Sequence, residues 1–501
     1  MSKTEMLLKY NAIKKQISTY SDTNIELGIA NYVLSSYACA KVGDNEEANA
    51  VAEILEENEL PADIETIVGL FESLLEQNTK NENGIVFTPK YIADYIVAHM
   101  LEEVNDNSLS FSVIDPACGC GIFLVSALEY LHKKLALSIN ALLPLVHGAD
   151  IEEANVRRCK LVLALLCAKY GEKPNFEADI ICMDSLKEDW RKAFKIETVD
   201  YVVGNPPYVN PHDMNEKTSD FLKKSFVTTK FGVFNILYAF IERALENVSD
   251  CGKIGFILPN NILTIKSAHD LRAYLQENKY VNSILDFGSN MVFKPTRTYN
   301  CIMMLDKRTK DLFYYSVLSK TTKIEKDLYN LQFMEMPLAA LDQNGWKLVD
   351  QRTRYNLRQI ESQGVQIKDF VRTGIATLKD DAYFVCEDET GFFKTIGGEK
   401  YYVEPQLVKP IYKVPELKKH NTANEIKRFI IFPYIKIQNE YRLIDETVFR
   451  TEYPLTYKCL LLQRKELEAR DKGKGASRGW YAYGRTQGLN KYGKKLLFPT
   501  F

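Results

Sequence analysis

Between residues 111 and 305 the chain alternates two kinds of apolar segment, and this alternation limits the fold more than any other feature. Short β-rich runs at 111–114, 145–149, 180–182, 201–203, 253–258, 283–286 and 301–305 are separated by longer runs with helical spacing at 121–137, 152–170 and 234–248. The β runs are apolar almost throughout rather than at every second residue. A strand of that kind is covered on both faces, which specifies a parallel sheet with helices above and below. The fold class expected is therefore α/β, with a Rossmann-like sheet.

The flanking segments read differently. Residues 1–82 carry helical spacing, as in Val51, Ile54 and Leu55 and in Ile67, Leu70 and Leu74. Residues 41–82 hold twelve Asp or Glu against two Lys, a net of −10. This acidic stretch reads as the solvated face of a small bundle or as a partner-binding surface. After about 350, strand-like and aromatic segments mix with Gly and Pro. The last 45 residues carry eleven Lys or Arg against three Asp or Glu, a net of +8. The expected organisation is an acidic helical region (1–82), the α/β domain (83–310), a linker (311–355) and a mixed α+β domain (356–501). A chain of 501 residues has room for these pieces. Its overall charge of −2 conceals the two opposed ends. No run of 18 apolar residues occurs and the first residues lack an apolar signal core, so a cytoplasmic protein with no membrane partner is expected. Ten scattered cysteines with no Cys-x-x-Cys pair, and six histidines, point to reduced thiols and no structural metal.

Four constellations in the α/β region carry chemistry. Asp115-Pro-Ala-Cys-Gly-Cys-Gly121 follows a strand and opens a helix. Glycines there let backbone approach a ligand. Taken alone the turn suits NAD, S-adenosylmethionine (AdoMet) or no ligand. Leu124 occupies the third glycine position of the dinucleotide fingerprint, and the leading Asp would repel a pyrophosphate, so a cationic ligand is favoured. Asp150, in Gly148-Ala-Asp-Ile151, ends the next strand, where a carboxylate can accept both ribose hydroxyls or cap the following helix. Asp184, in Asp184-Ser-Leu186, could accept an adenine amino group; capping is an equal alternative, and Asp179 is a competitor. Asn205-Pro-Pro-Tyr208 is the most specific. Its prolines fix the backbone so that the Asn205 side chain and a Pro carbonyl face one amino group, and Tyr208 offers a ring for stacking on a base.

With these residues in this order the chain resembles the N6-adenine DNA methyltransferases, in particular the TaqI-like (gamma-class) group with a C-terminal target-recognition domain. Gly84-Ile-Val-Phe87-Thr88-Pro89 is similar to the family's N-terminal cofactor motif. The resemblance implies that Phe87, Thr88, Pro89, Asp115, Ala117, Gly119, Gly121, Asp150, Ile151, Asp184, Ser185 and Asn205 hold AdoMet. It implies that Asn205, Pro206, Pro207 and Tyr208 are catalytic, and that Tyr208 and Phe293 sandwich the target adenine. The implied substrate is an adenine flipped from double-stranded DNA, within a restriction-modification or host-defence system. RNA adenines, a protein glutamine amide, or a role as a binding subunit are the alternatives. Arg478, Trp480, Tyr481, Arg485 and Lys491 are the expected DNA contacts; for Trp480 and Tyr481, packing inside the domain competes. Cys120 replaces the family's usual Ser, and Asn235 stands where Asp is frequent. Similar recognition domains continue past Phe498-Pro-Thr-Phe501, so an incomplete domain is expected, or a second chain (a specificity or restriction subunit, or a homodimer partner).

Overall fold

The computed structural model describes residues 3–74, 88–105, 110–211, 214–293, 298–308, 310–321, 323–342, 344–364, 371, 374–414, 416, 422–470, 479–486, 488–490 and 497. Two compact units divide the chain, Met1–Tyr355 and Asn356–Phe501.

Four helices open the first unit: α1 (Lys3–Ile17), α2 (Asp22–Ser36), α3 (Glu46–Glu57) and α4 (Ile64–Leu74). Side-chain caps fix three of the starts, Asp63 accepting from the Thr66 amide at the head of α4. Ser21 accepts from the Asn24 amide and Asn45 from the Ala48 amide, each satisfying a donor the helix leaves open. Gly28 lets α2 and α3 touch, since a Cβ there would stand 2.6 Å from the Ala48 carbonyl oxygen. Helices α5 (Lys90–Met100), α6 (Ile122–Leu135), α7 (Glu153–Lys169), α8 (Glu216–Ser225), α9 (Ile236–Asn247) and α10 (His269–Glu277) follow.

The sheet of this unit holds β1 (Val113–Asp115), β2 (Val146–Asp150), β3 (Asp179–Cys182), β4 (Tyr201–Gly204), β5 (Lys253–Pro259), β6 (Val281–Asp286), β7 (Asn300–Asp306), β8 (Leu312–Val317) and β9 (Met334–Pro337). Their order is β3-β2-β1-β4-β5-β7-β6-β8-β9. The seven β runs and three helical runs read from the sequence all appear. The wholly parallel expectation needs correction, because β7 runs antiparallel to both β5 and β6, and β9 antiparallel to β8. No helix lies among the described residues between β6 and β7, and without a crossover helix the strand returns antiparallel.

Two expected boundaries also shift. Residues 311–355 are not a linker, for β8 and β9 form the sheet edge; along β8, Phe313 and Tyr315 are buried while Leu312 and Tyr314 are exposed, the period of a half-covered strand. Nor is the acidic N-terminal region a separate body. Its Ile29, Val33, Leu70 and Phe71 share one apolar core with Leu163 and Leu166 of α7. Buried Glu26 joins that contact, its two oxygens accepting from Arg157 Nε at 3.1 Å and Arg158 Nε at 3.2 Å. The acidic surplus lies on the outer helix faces, as at Glu46, Glu47 and Glu53.

The second unit is mixed α+β, as expected. An antiparallel sheet runs in the order β12-β11-β10-β14-β13, from β10 (Phe384–Asp388), β11 (Gly391–Ile396), β12 (Glu399–Tyr402), β13 (Val408–Tyr412) and β14 (Lys427–Ile431), beside a hairpin of β15 (Tyr434–Ile437) and β16 (Glu440–Leu443). Gln438 and Asn439 turn the hairpin with positive φ at both positions, as a two-residue turn of type I′ requires. Buried Arg470 ties the unit together by donating to the carbonyls of Thr377, Leu467, Trp480 and Ala482 at 2.7–2.9 Å.

Candidate active site at the carboxyl ends of the strands

The sheet order reverses between β1 and β4, and in such sheets the crevice beyond the carboxyl ends binds ligands. A cavity of about 540 Å³ lies there. Asp115 ends β1, Asp150 ends β2, Asp184 follows β3 and Asn205 follows β4, and all four line the cavity. Thr88, Ala117, Gly119, Ile151, Ser185 and Pro207 line it as well.

The turn after β1 shows how local sequence builds the site. Asp115 Oδ1 accepts from the Ala117 amide at 3.1 Å, and the Cys118 amide donates to the Ala149 carbonyl. Gly119 takes φ +52 and Gly121 φ +88. A Cβ on Gly121 would meet Cys159 Sγ at 2.6 Å, so this glycine serves the packing of α6 on α7 and does not line the cavity. Asp150 binds the turn from the other side: Oδ2 accepts from the Gly119 amide at 2.9 Å, and Oδ1 from the Glu152 amide and from Asn155 Nδ2. Asp150 thus holds the loop ahead of α7 and stands in the cavity wall, but it is not the cap of that helix, whose N-cap is Glu152 with no side-chain cap bond. Ser185 donates to the Pro116 carbonyl at 2.6 Å and fastens the β3 loop to the β1 loop. Asp184 pairs with Lys187 at 2.7 Å.

The electrostatics are one-sided. Glu72, Asp115, Asp150, Glu152 and Asp184 face the cavity against a single ammonium, Lys187. Burial, with the Asp150 charge adding to it, pushes the Asp115 carboxyl up to about 8, against the pull of the Ala117 amide. Burial likewise raises Asp150, opposed by its hydrogen bonds. Carboxylates held this way favour a cationic ligand. Ile151, 65% exposed at the cavity edge, offers a flat apolar surface.

At the fourth corner the Tyr208 hydroxyl lies 2.6 Å from Asn205 Oδ1 and 3.0 Å from the Ile257 carbonyl oxygen. Burial holds its phenol well above the ordinary range. Pro206 is buried behind the loop.

Several expected residues lie elsewhere. Phe293 is 4% exposed and packs in the core with Phe287, Val292 and Leu318; it does not line the cavity, and burial of its apolar ring in that core is favourable in itself. Pro89 stands at the N-cap of α5, outside the lining. Trp480 and Tyr481, expected on DNA, are 4% and 3% exposed. Their polar atoms are used internally, Trp480 Nε1 on Glu446 at 2.8 Å and the Tyr481 hydroxyl on the Ile444 carbonyl. Packing inside the domain wins at both. Arg485 is exposed. Phe87, Arg478 and Lys491 lie outside the described residues.

Other walls were not anticipated. Val68 and Glu72 come from α4, and Met214, Thr218, Phe221, Ile236 and Phe240 close the cavity from α8, α9 and the loop before them. Ile236 and Phe240 stand four apart on one helix face, a visible spacing, but nothing local marks that face as a ligand wall rather than core.

The sequence model of the family described as N-6 DNA Methylase matches residues 62–338. Over 479 residues the chain is 24% identical to the type II restriction enzyme and methyltransferase RM.Eco57I of Escherichia coli, covering 81% of this chain and 48% of that protein. It is 30% identical over 224 residues to the type I restriction enzyme MjaIX methylase subunit of Methanocaldococcus jannaschii, covering 43% of this chain and 37% of that one. Among solved structures, the type IIL restriction-modification enzyme MmeI in complex with DNA superposes with a TM-score of 0.58 at 14% identity, over 92% of this chain and 69% of that one. This last likeness concerns the fold. The chain spans about half the length of the E. coli relative.

Proposed function

Because this chain belongs to the N-6 DNA methylase family, we propose that it transfers the methyl group of AdoMet to N6 of an adenine flipped out of duplex DNA, as the modification activity of a restriction-modification system. One observation carries the reading: Asn205 and Pro207 of the Asn205-Pro-Pro-Tyr208 segment that follows β4 line a cavity with five carboxylates and one ammonium, while Pro206 and Tyr208 stand outside that lining.

The cavity suits AdoMet by size and chemistry. Its volume lies within the roughly 300–1,000 Å³ of small-molecule sites. Asp115 and Glu72 provide negative charge for the cationic amino-acid end, Asp150 an acceptor for ribose hydroxyls, Asp184 an acceptor for the adenine amine, and Ile151 with Phe221 an apolar enclosure. Bound AdoMet supplies a methyl group activated by its sulfonium.

The chain's residues do the rest. Asn205 Oδ1 and the Pro206 carbonyl accept the two N6 hydrogens and draw the nitrogen lone pair out of conjugation with the ring. The same acceptors stabilise the positive charge that N6 acquires as it is alkylated. Fixing donor and acceptor in line removes an entropic barrier that in solution is large. The proposed partners are duplex DNA and a second chain contributing specificity or cleavage; the second unit, with exposed Arg485, is the DNA-recognition part.

The test is incubation with tritiated AdoMet and duplex DNA, followed by nucleoside digestion. Label should appear in N6-methyladenine. Asn205→Ala should lower transfer by about 10²–10³-fold, as removal of a charge-stabilising group does, while AdoMet still binds. Label confined to RNA or protein would overturn the reading.

A further inference from the structure

The loop between α8 and α9 is turned inside out. Thr228 and Thr229 are buried, while Val227, Phe231 and Val233 are exposed, Phe231 by 70%. Surface loops normally hide their apolar residues and show their hydroxyls, and clustered apolar exposure marks a surface that a partner covers.

Hydrogen bonds hold this loop at both ends. The buried Glu242 carboxylate of α9 accepts from the Val227 amide at 2.9 Å and the Thr228 amide at 2.8 Å. The Thr229 hydroxyl donates to the Leu222 carbonyl at 2.7 Å. At the far end Phe234 is buried in the core, and there the loop is bonded to the segment that follows Asn205-Pro-Pro-Tyr208. The Ile236 amide donates to the Val209 carbonyl at 3.0 Å, and Asn235 Nδ2 to Asn210 Oδ1 at 3.2 Å. Val209 and Ile236 both line the cavity. A four-residue span reaches at most about 14 Å, so Phe231 stands close to the segment bonded to Asn235. Lys230 Nζ lies 5.4 Å from the centroid of the Phe231 ring, which sets a cation beside the exposed apolar surface.

An adenine that reaches Asn205 from a duplex brings the rest of that duplex to within one nucleotide's length of the catalytic segment. The base leaves a gap in the stack, and an apolar side chain can enter between base steps. We propose that Phe231 is the wedge that occupies the stack where the target adenine leaves it, with Lys230 at a flanking phosphate. The partner that covers this patch is then the base stack of duplex DNA. Phe231 is a positioning residue for the flipped state and does not line the AdoMet cavity. The inference deepens the methyl transfer proposed above and rests on it. No covalent bond changes; a phenyl ring takes over stacking that the adenine gives up.

The test uses the full-length chain. Modified-base sequencing of DNA from an expressing host supplies the target sequence, and single-turnover transfer is measured on two duplexes that carry it. One is fully paired; in the other the target adenine faces a mismatched base. Extruding a mismatched base costs less, so a wedge matters less there. Phe231→Ala should slow transfer at least about tenfold on the paired duplex and less than about twofold on the mismatched one. AdoMet affinity and melting temperature should not move, because the ring is exposed and outside the cavity lining. Equal slowing on both duplexes, or no slowing on either, overturns the proposal. A protein partner on the patch, including a second copy of this chain, would show as altered sedimentation of Phe231→Ala with transfer unchanged, and overturns it as well. Wild-type protein that binds AdoMet yet leaves no N6-methyladenine in host DNA overturns the proposed function itself, whereas an active wild type indifferent to Phe231→Ala overturns this inference alone.

Discussion

Asp115 is where the site's chemistry is most concentrated in one residue. Its carboxyl is buried, faces Asp150, and is pressed against β4 so closely that a Cβ on Gly204 would stand 2.8 Å from its Oδ1. With a folded-state pKa raised from 3.8 to about 8, Asp115 is largely protonated at pH 7 when no ligand is bound. The sign for stability follows. A raised pKa means that the folded state holds the proton more tightly, so the contribution is full below about pH 4 and is lost as pH rises to about 8. Asp115→Asn should therefore flatten the fall in melting temperature between pH 4 and pH 8 by several degrees at the upper end, because a rise from 3.8 to about 8 corresponds to about 5 kcal/mol. A cation seated beside Asp115 reverses the balance and drives the proton off. Calorimetry of AdoMet binding at pH 7 in buffers of different ionisation enthalpy should show proton release, approaching one per site, that Asp115→Asn lacks. Equal release from both proteins would remove Asp115 from the cofactor site.

At the scale of elements, the turn between β1 and α6 depends on what lies under it. Gly121 has φ +88 and stands on Cys159 of α7 with no room for a methyl group. Gly121→Ala should cost about 2–4 kcal/mol, combining backbone strain with overpacking, read by urea unfolding. Adding Cys159→Ala should recover the overpacking part, roughly 1–2 kcal/mol, and leave the strain; a double variant no more stable than the single would show that packing is not the cause. This turn was legible in the sequence because strand, acid, glycines and helix are contiguous, and each follows from local chemistry. The same holds for Asp150, Asp184 and Asn205, all at strand ends. The remaining walls were not legible for the opposite reason. Val68 and Glu72 reach the cavity only because α4 packs on the α/β core, a contact specified by tertiary structure and not by spacing. Aromatic residues were the other ambiguity. Phe293 and Trp480 have composition suited equally to stacking on a base and to filling a core, and only the three-dimensional packing shows that both are buried.

At the scale of the whole molecule, charge and architecture divide the labour. Every residue lining the cavity belongs to Met1–Tyr355, while the +8 surplus of the last 45 residues belongs to the other unit. The near-neutral total is the sum of an acidic helical stretch in the first unit and a basic end in the second, and each should show its own dependence on salt. A truncation ending at Glu361, after the helix Gln351–Glu361, retains the cavity and both partners of the Glu26 contact with Arg157 and Arg158. It should fold, and it should bind AdoMet within about threefold of the full chain, because separate cores behave nearly additively. DNA affinity should fall by at least about 10²-fold at low salt, since phosphate neutralisation by Lys and Arg supplies most non-specific binding. In the full chain, log affinity for DNA should fall linearly with log salt, with a slope that the truncation loses, while AdoMet affinity changes little. Fluorescence anisotropy with a labelled duplex over 50–200 mM salt, the range in which such contacts weaken by about 10³–10⁵-fold, measures both. A truncated protein that keeps the slope would place the DNA-binding cations in the first unit, and the basic end would then have to serve a different partner.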